Sequence, residues 1–120
     1  MFDRLAELVP RGSVLVGDMC WEKPPTKTAQ AIFGDEIPML VDLFSMCRRS
    51  GWEILRISMA DQREWDDFEF GHRAGFRQWL LDNPDSPRAK EVRDEQDAKE
   101  LEYLTLYRGV LGFVYLVLGR

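Results

Sequence analysis

Gly109-Val110-Leu111-Gly112-Phe113-Val114-Tyr115-Leu116-Val117-Leu118 is the stretch whose reading decides the fold. Its apolar residues are continuous, whereas a half-exposed strand alternates apolar with polar. It is also too short, and too rich in Val, Phe and Tyr, for a membrane-spanning helix. Opened by a glycine and bounded by Arg108 and Gly119-Arg120, it reads as a strand buried on both faces. Such a strand needs a neighbour on either side and helices above and below.

Two upstream segments qualify as neighbours. Ser13 to Met19 is a short apolar strand, Val14-Leu15-Val16, ending in Gly17-Asp18. The following Cys20-Trp21-Glu22-Lys23-Pro24-Pro25 reads as a loop, because the two prolines forbid helix and restrict Lys23. Trp52 to Met59 is a second strand, less uniformly apolar. Between them Asp35 to Ser50 reads as a helix with Met39, Leu40, Leu43, Phe44 and Cys47 on one face, Asp35 as its N-cap and Pro38 in its first turn. Strand, helix, strand over this length is a parallel, right-handed crossover.

Helices fill the remainder. Phe2, Leu5, Leu8 and Val9 recur at helical spacing and are stopped by Pro10-Arg11-Gly12. Asp61 with Glu64 is a capping box opening a helix on which Trp65, Phe68, His72, Phe76, Trp79 and Leu80 share one face. Pro84 and Pro87 break the chain. Ser86-Pro87 then opens a charged helix that turns apolar at Leu101, Leu104 and Tyr107. The two form a helical hairpin, residues 60–108, inserted between strands of one sheet. The fold class is α/β: a partial, Rossmann-like three-stranded sheet with flanking helices in one domain spanning residues 1–120.

Composition narrows the function classes. A net charge of -5 and an apolar share of 45% describe a globular chain with little attraction for a nucleic-acid backbone. Arg48-Arg49, the one paired basic site, sits where a helix end suits cations. No stretch reads as a membrane span or a signal peptide. Cys20 and Cys47 lack motif spacing and read as buried free thiols, which places the expectation in the cytoplasm.

Few residues carry a chemical signal. Asp18, Trp21 and Glu22 cluster just past the carboxyl end of a strand, where α/β folds place ligands. They read equally as a turn-capping Asp and a Trp covering the sheet edge. His72 is the only histidine, and Glu69 lies one turn before it. A carboxylate touching that imidazole would fix its tautomer and suit proton abstraction, but a packed core histidine fits the same position. One His and two distant Cys supply no metal-ligand set. A Ser nucleophile elbow, a P-loop and a glycine-rich dinucleotide fingerprint are absent.

The order of these pieces carries a resemblance. Leu8-Val9-Pro10-Arg11-Gly12-Ser13-Val14-Leu15-Val16-Gly17-Asp18, then Trp21-Glu22-Lys23-Pro24-Pro25, Glu64-Trp65-Asp66-Asp67-Phe68-Glu69 and Tyr103 to Leu118, resembles the C-terminal half of a class I S-adenosylmethionine-dependent methyltransferase. The resemblance implies that the last strand is central, antiparallel between the strands at Val14-Leu15-Val16 and Trp52–Met59. It implies a substrate-facing role for Asp18, Trp21, Glu22, Glu69 and His72, and S-adenosylmethionine as cofactor. The family binds that cofactor mainly through a glycine-rich loop and an acidic residue of its N-terminal half, and no stretch here matches them. The expectation is a chain inactive alone or dependent on a partner, acting on a small-molecule substrate. The alternative is a non-catalytic dimeric interaction module, with a second copy or a partner chain pairing at the edge of strand 13–19.

Overall fold

The computed structural model describes all 120 residues. They divide into two compact units, residues 1–60 with 109–120, and Asp61–Arg108.

The first unit is built on a three-stranded sheet. Its elements are α1 (Phe2–Leu8), β1 (Ser13–Trp21), α2 (Lys27–Phe33), α3 (Leu40–Arg49), β2 (Glu53–Met59) and β3 (Leu111–Gly119). The strand order is β1-β3-β2, with β3 antiparallel to both neighbours. The opening stretch is therefore the central strand, and β1 and β2 run parallel on either side of it.

One face of the sheet carries the core. Val114, Leu116 and Leu118 of β3 are buried there with Cys20, Leu43, Cys47, Trp52 and Phe2, and Val14, Val16 and Ile54 pack against them. Helix α1 is anchored at its first turn: the Trp52 indole N–H donates to the Phe2 carbonyl at 3.1 Å, and the Ser50 hydroxyl donates to the Asp3 carboxylate at 2.6 Å. An indole that buries its ring and still satisfies its N–H is a strong local anchor.

The helix expected over Asp35–Ser50 is shorter, starting at Leu40 with Met39 as N-cap. Residues 38 and 39 are used differently. The Trp21 N–H donates to the Pro38 carbonyl at 2.8 Å, and Met39 makes a parallel bridge to Trp21. A bridge needs extended backbone, and Met39 has ψ 152, which excludes helix there. The preceding residues hold a helix that the sequence reading lacks: α2, capped by the Thr26 side chain, which accepts from the Ala29 N–H at 3.1 Å.

Strand β1 is longer than expected, because its ladder with β3 continues through Met19–Phe113, Cys20–Gly112 and Trp21–Leu111. Glycines set how the strands meet. A Cβ at Gly17 would lie 2.9 Å from the Phe113 ring, so the edge-to-face pair of Phe113 and Tyr115, 5.1 Å apart, depends on that glycine.

The second unit is a helical pair: α4 (Gln62–Asp82), α5 (Ala89–Glu102) and a π-helical turn, Tyr103–Tyr107. The capping box is present, with the Glu64 N–H donating to Asp61 at 2.8 Å and the Asp61 N–H to Glu64 at 3.3 Å. Helix α5 starts two residues after the expected position, and Ser86 accepts from the Arg88 N–H instead of capping the first full turn.

The face on which α4 packs matches the expectation at Leu80, with Trp65 and Trp79 half-buried, and departs from it elsewhere. Glu69, Arg73 and Leu80 are buried, whereas Phe68 and Phe76 are more than half exposed. Residues 66, 69, 73, 77 and 80 recur at helical spacing as faithfully as 65, 68, 72, 76 and 79. The side that wins is the one α5 can satisfy. Tyr107 donates to Glu69 at 3.0 Å, Tyr103 donates to Asp66 at 2.7 Å, and Arg77 reaches Asp97 at 2.8 Å and Glu100 at 3.2 Å.

Candidate functional site

The carboxyl end of β1 is where backbone and side chains converge. Trp21, the last strand residue, is 2% exposed and meets the ring of Phe33 edge-on at 5.8 Å. Helix α2, set by its Thr26 cap and ended by Gly34 at φ 83, holds Phe33 in that position. Glu22 follows, its N–H donating to the Val110 carbonyl at 2.8 Å. Its side chain lies across Gly112, where a Cβ would come within 2.8 Å of Glu22 Cγ. Gly112 therefore admits the carboxylate stem against the central strand.

A groove of about 450 Å³ opens here, lined by Trp21, Glu22, Met39, Leu40, Phe44 and Arg48. The Arg48 guanidinium lies over the Phe44 ring at 5.8 Å. The Trp21 indole N–H is buried with no acceptor in the chain. An orphaned buried donor costs about 1–3 kcal/mol, which an acceptor atom of a bound molecule would offset. The groove thus offers a guanidinium and a carboxylate around apolar walls, one of them the Trp21 ring whose buried indole N–H lacks an acceptor. Those groups suit a small molecule with an apolar body and an acceptor oxygen.

Asp18 lies elsewhere. It pairs with Val114 inside β1, three residues before the strand end, and accepts from the Met19 N–H at 2.9 Å. Its side chain is on the core-facing side with Cys20, so the expectation that it sits past the strand end is corrected. The cause is the longer ladder. Burial first, then the carboxylates of Glu22 and Asp18, push the Cys20 thiol up to about 11. Burial raises Cys47 as well. Both cysteines are free.

Glu69 and His72 do not form a pair. Glu69 is buried and bonded to Arg73 at 2.6 Å and to the Tyr107 hydroxyl. His72 is exposed, with Nδ1 bonded to the Phe68 carbonyl at 2.7 Å. A carbonyl only accepts, so Nδ1 carries the proton and Nε2 is left free. His72 lines a second groove of about 500 Å³ with Gly75, Phe76, Trp79, Arg88 and Val92. The structure therefore joins Trp21 to Glu22 and separates Glu69 from His72. Arg48, Phe44 and Phe33 were missed as site residues; the apolar stripe of α3 with an arginine one turn past Phe44 was their only sequence signal.

No protein-family profile matches the sequence. The uncharacterized protein YjhP of Escherichia coli K12 is 31% identical over 122 residues, covering 94% of this chain and 48% of YjhP. Solved structures agree. An S-adenosylmethionine-dependent methyltransferase from Geobacter sulfurreducens, in complex with S-adenosyl-L-homocysteine, superposes with a TM-score of 0.72 at 30% identity. It covers 90% of this chain and 46% of its own. The corresponding enzyme from Thiobacillus denitrificans, with the same ligand, gives 0.72 at 28% identity with the same shares, 90% and 46%. The crystal structure of YjhP gives 0.73 at 28% identity, covering 90% of this chain and 49% of YjhP. The chain spans about half the length of each of these relatives. In fold, and in the order β1-β3-β2 with its central antiparallel strand, it is similar to the C-terminal half of a class I S-adenosylmethionine-dependent methyltransferase.

Proposed function

We propose that this chain supplies the substrate-side half of an S-adenosylmethionine-dependent methyltransferase and transfers a methyl group only together with a cofactor-binding half. The observation that carries this reading is the superposition of 90% of the chain on less than half of two enzymes solved with S-adenosyl-L-homocysteine. The groups at the end of β1 do not add up to a cradle for that cofactor. The positive-φ glycines, Gly12, Gly34, Gly51 and Gly109, stand singly in turns far apart in sequence, whereas a dinucleotide loop groups its glycines in one turn. No step through the cofactor is assigned to these residues. Their part is to hold the methyl acceptor: Trp21 by its ring, Arg48 by charge, and Glu22 as an acceptor for a hydroxyl or amine proton.

Calorimetric titration of S-adenosylmethionine into the isolated chain tests the reading. No binding at micromolar concentrations is expected, and tight one-to-one binding by the chain alone overturns it.

A further inference from the structure

The sheet has two faces, and helices α1 and α3 cover one. The uncovered face is apolar over β1 and β3, while Arg56 and Ser58 of β2 share it. Leu15 is 69% exposed, Leu55 57%, Tyr115 45% and Met19 37%, with Phe113 and Val117 half-buried between them. Register places them together: Leu15 opposite Val117 and Met19 opposite Phe113, while Leu55 lies against the position of a Gly119 Cβ on the same side. Folded monomers rarely leave a continuous apolar surface of this breadth bare.

The open edge adjoins this face. Gly12 and Arg120 exchange both backbone hydrogen bonds at 2.9 Å, which fixes the parity of the β1–β3 ladder. Even-numbered residues of β1 bond to β3, and Leu15, Gly17 and Met19 turn their N–H and C=O groups outward. On that side the Trp21 N–H reaches Pro38 and the Met19 N–H reaches the Asp18 carboxylate, while the N–H groups of Leu15 and Gly17 are unengaged. Leu15 and Gly17 therefore present unpaired N–H and C=O groups and Met19 its C=O, and Leu15 and Met19 add bare apolar side chains at the same edge.

We infer that this edge and face together are the seat of the other half of the sheet: a strand that pairs with Leu15, Gly17 and Met19, and an apolar helix lying over Leu55 and Tyr115. The occupant is the cofactor-binding half of the methyltransferase fold, the part of the relatives' length that this chain does not span. This rests on the function proposed above. Length argues for it, because the relatives carry about another chain's worth of residues beyond the matched part. A strand added at the edge satisfies backbone groups that a helix or a small ligand leaves open.

The test co-expresses this full chain with the part of YjhP outside the 122-residue match. Size-exclusion chromatography and amide hydrogen exchange are the readouts. A one-to-one complex is expected, with exchange at Leu15 and Gly17 slowed by about tenfold or more. The Leu15→Lys/Leu55→Lys double variant should keep the melting temperature of the isolated chain and lose the complex. A complex in which those amides exchange as before, or which survives the double variant, overturns the inference and leaves the functional reading standing. Self-association through the same amides, or no association at all, also overturns it. A complex formed through this face that fails to bind S-adenosyl-L-homocysteine sinks the functional reading and leaves the docking surface in place.

Discussion

Arg108 grips the carboxylate of Asp66 at two points, Nε to Oδ1 and Nη2 to Oδ2, each at 2.9 Å. The Tyr103 hydroxyl donates to the same Oδ1, and Gln62 donates to that hydroxyl at 3.0 Å. The cluster ties the second turn of α4 to the end of the π-helical segment. Tyr103 and Tyr107, the first and last residues of the π turn, both face α4 and bond to Asp66 and Glu69.

The cluster predicts an acid-sensitive helical unit. The Arg108 hydrogen bonds, then that of Tyr103, hold the Asp66 carboxyl well below the usual carboxylate range. A depressed folded-state pKa means that the unfolded chain takes up a proton first. Asp66 therefore contributes stability above about pH 4, and that contribution is lost as pH falls toward its folded pKa. Acid titration followed by helical circular dichroism should show this loss, and Asp66→Asn should remove most of it while lowering stability at neutral pH.

A buried ion pair gives the second prediction. Glu69 and Arg73 are 7% and 4% exposed, and Arg73 Nε and Nη1 have no partner in the chain. Arg73→Met leaves a buried carboxylate held by Tyr107 alone and should cost about 3–5 kcal/mol in urea denaturation. Combining it with Glu69→Gln keeps an acceptor for Tyr107 while removing the charge. The double variant should recover most of that loss. If it is no more stable than Arg73→Met alone, the pair does more than offset its own desolvation.

These polar contacts also mark the limit of what the sequence disclosed. The central strand was legible because a continuous apolar run has few other readings, and the Asp61–Glu64 box because its spacing is specific. The packing face of α4 was not. Two stripes share its helical period, and periodicity cannot tell which one a partner covers. The choice was made by α5, which brings hydroxyls and carboxylates toward α4. The charge match of Arg77 with Asp97 and Glu100 was the available clue. At the site, Trp21 and Glu22 could be read from their place after a strand. Arg48 could not, because its approach depends on the Trp21–Met39 bridge, a contact between segments that share no motif.

Thiol chemistry supplies the third prediction. Cys20 and Cys47 are fully buried, and Cys20 titrates near 11 where an ordinary thiol titrates near 9. The folded state therefore holds its proton longer than the unfolded one. The stability from this site is complete below pH 9 and is lost as pH rises from there through 11. Labelling by an aromatic disulfide at pH 8 should be slow in the native chain and become rapid in denaturant. Prompt labelling of either thiol in the native state would contradict the packing of β1 against α3.

Two glycines in α4 give the last prediction. Gly71 and Gly75 lie one turn apart in the middle of a 21-residue helix, and a Cβ at either position would meet nothing within 4 Å. Neither has a positive φ, so neither turn geometry nor packing calls for glycine. Gly71→Ala and Gly75→Ala should each raise stability by about 0.5–1 kcal/mol, read as an increase in melting temperature. Gly75 lines the groove of His72, Phe76 and Trp79, and Gly71 lines a surface hollow with Asp66, Phe70 and Arg108. A gain at both positions means that the helix keeps its flattened sides against its own stability.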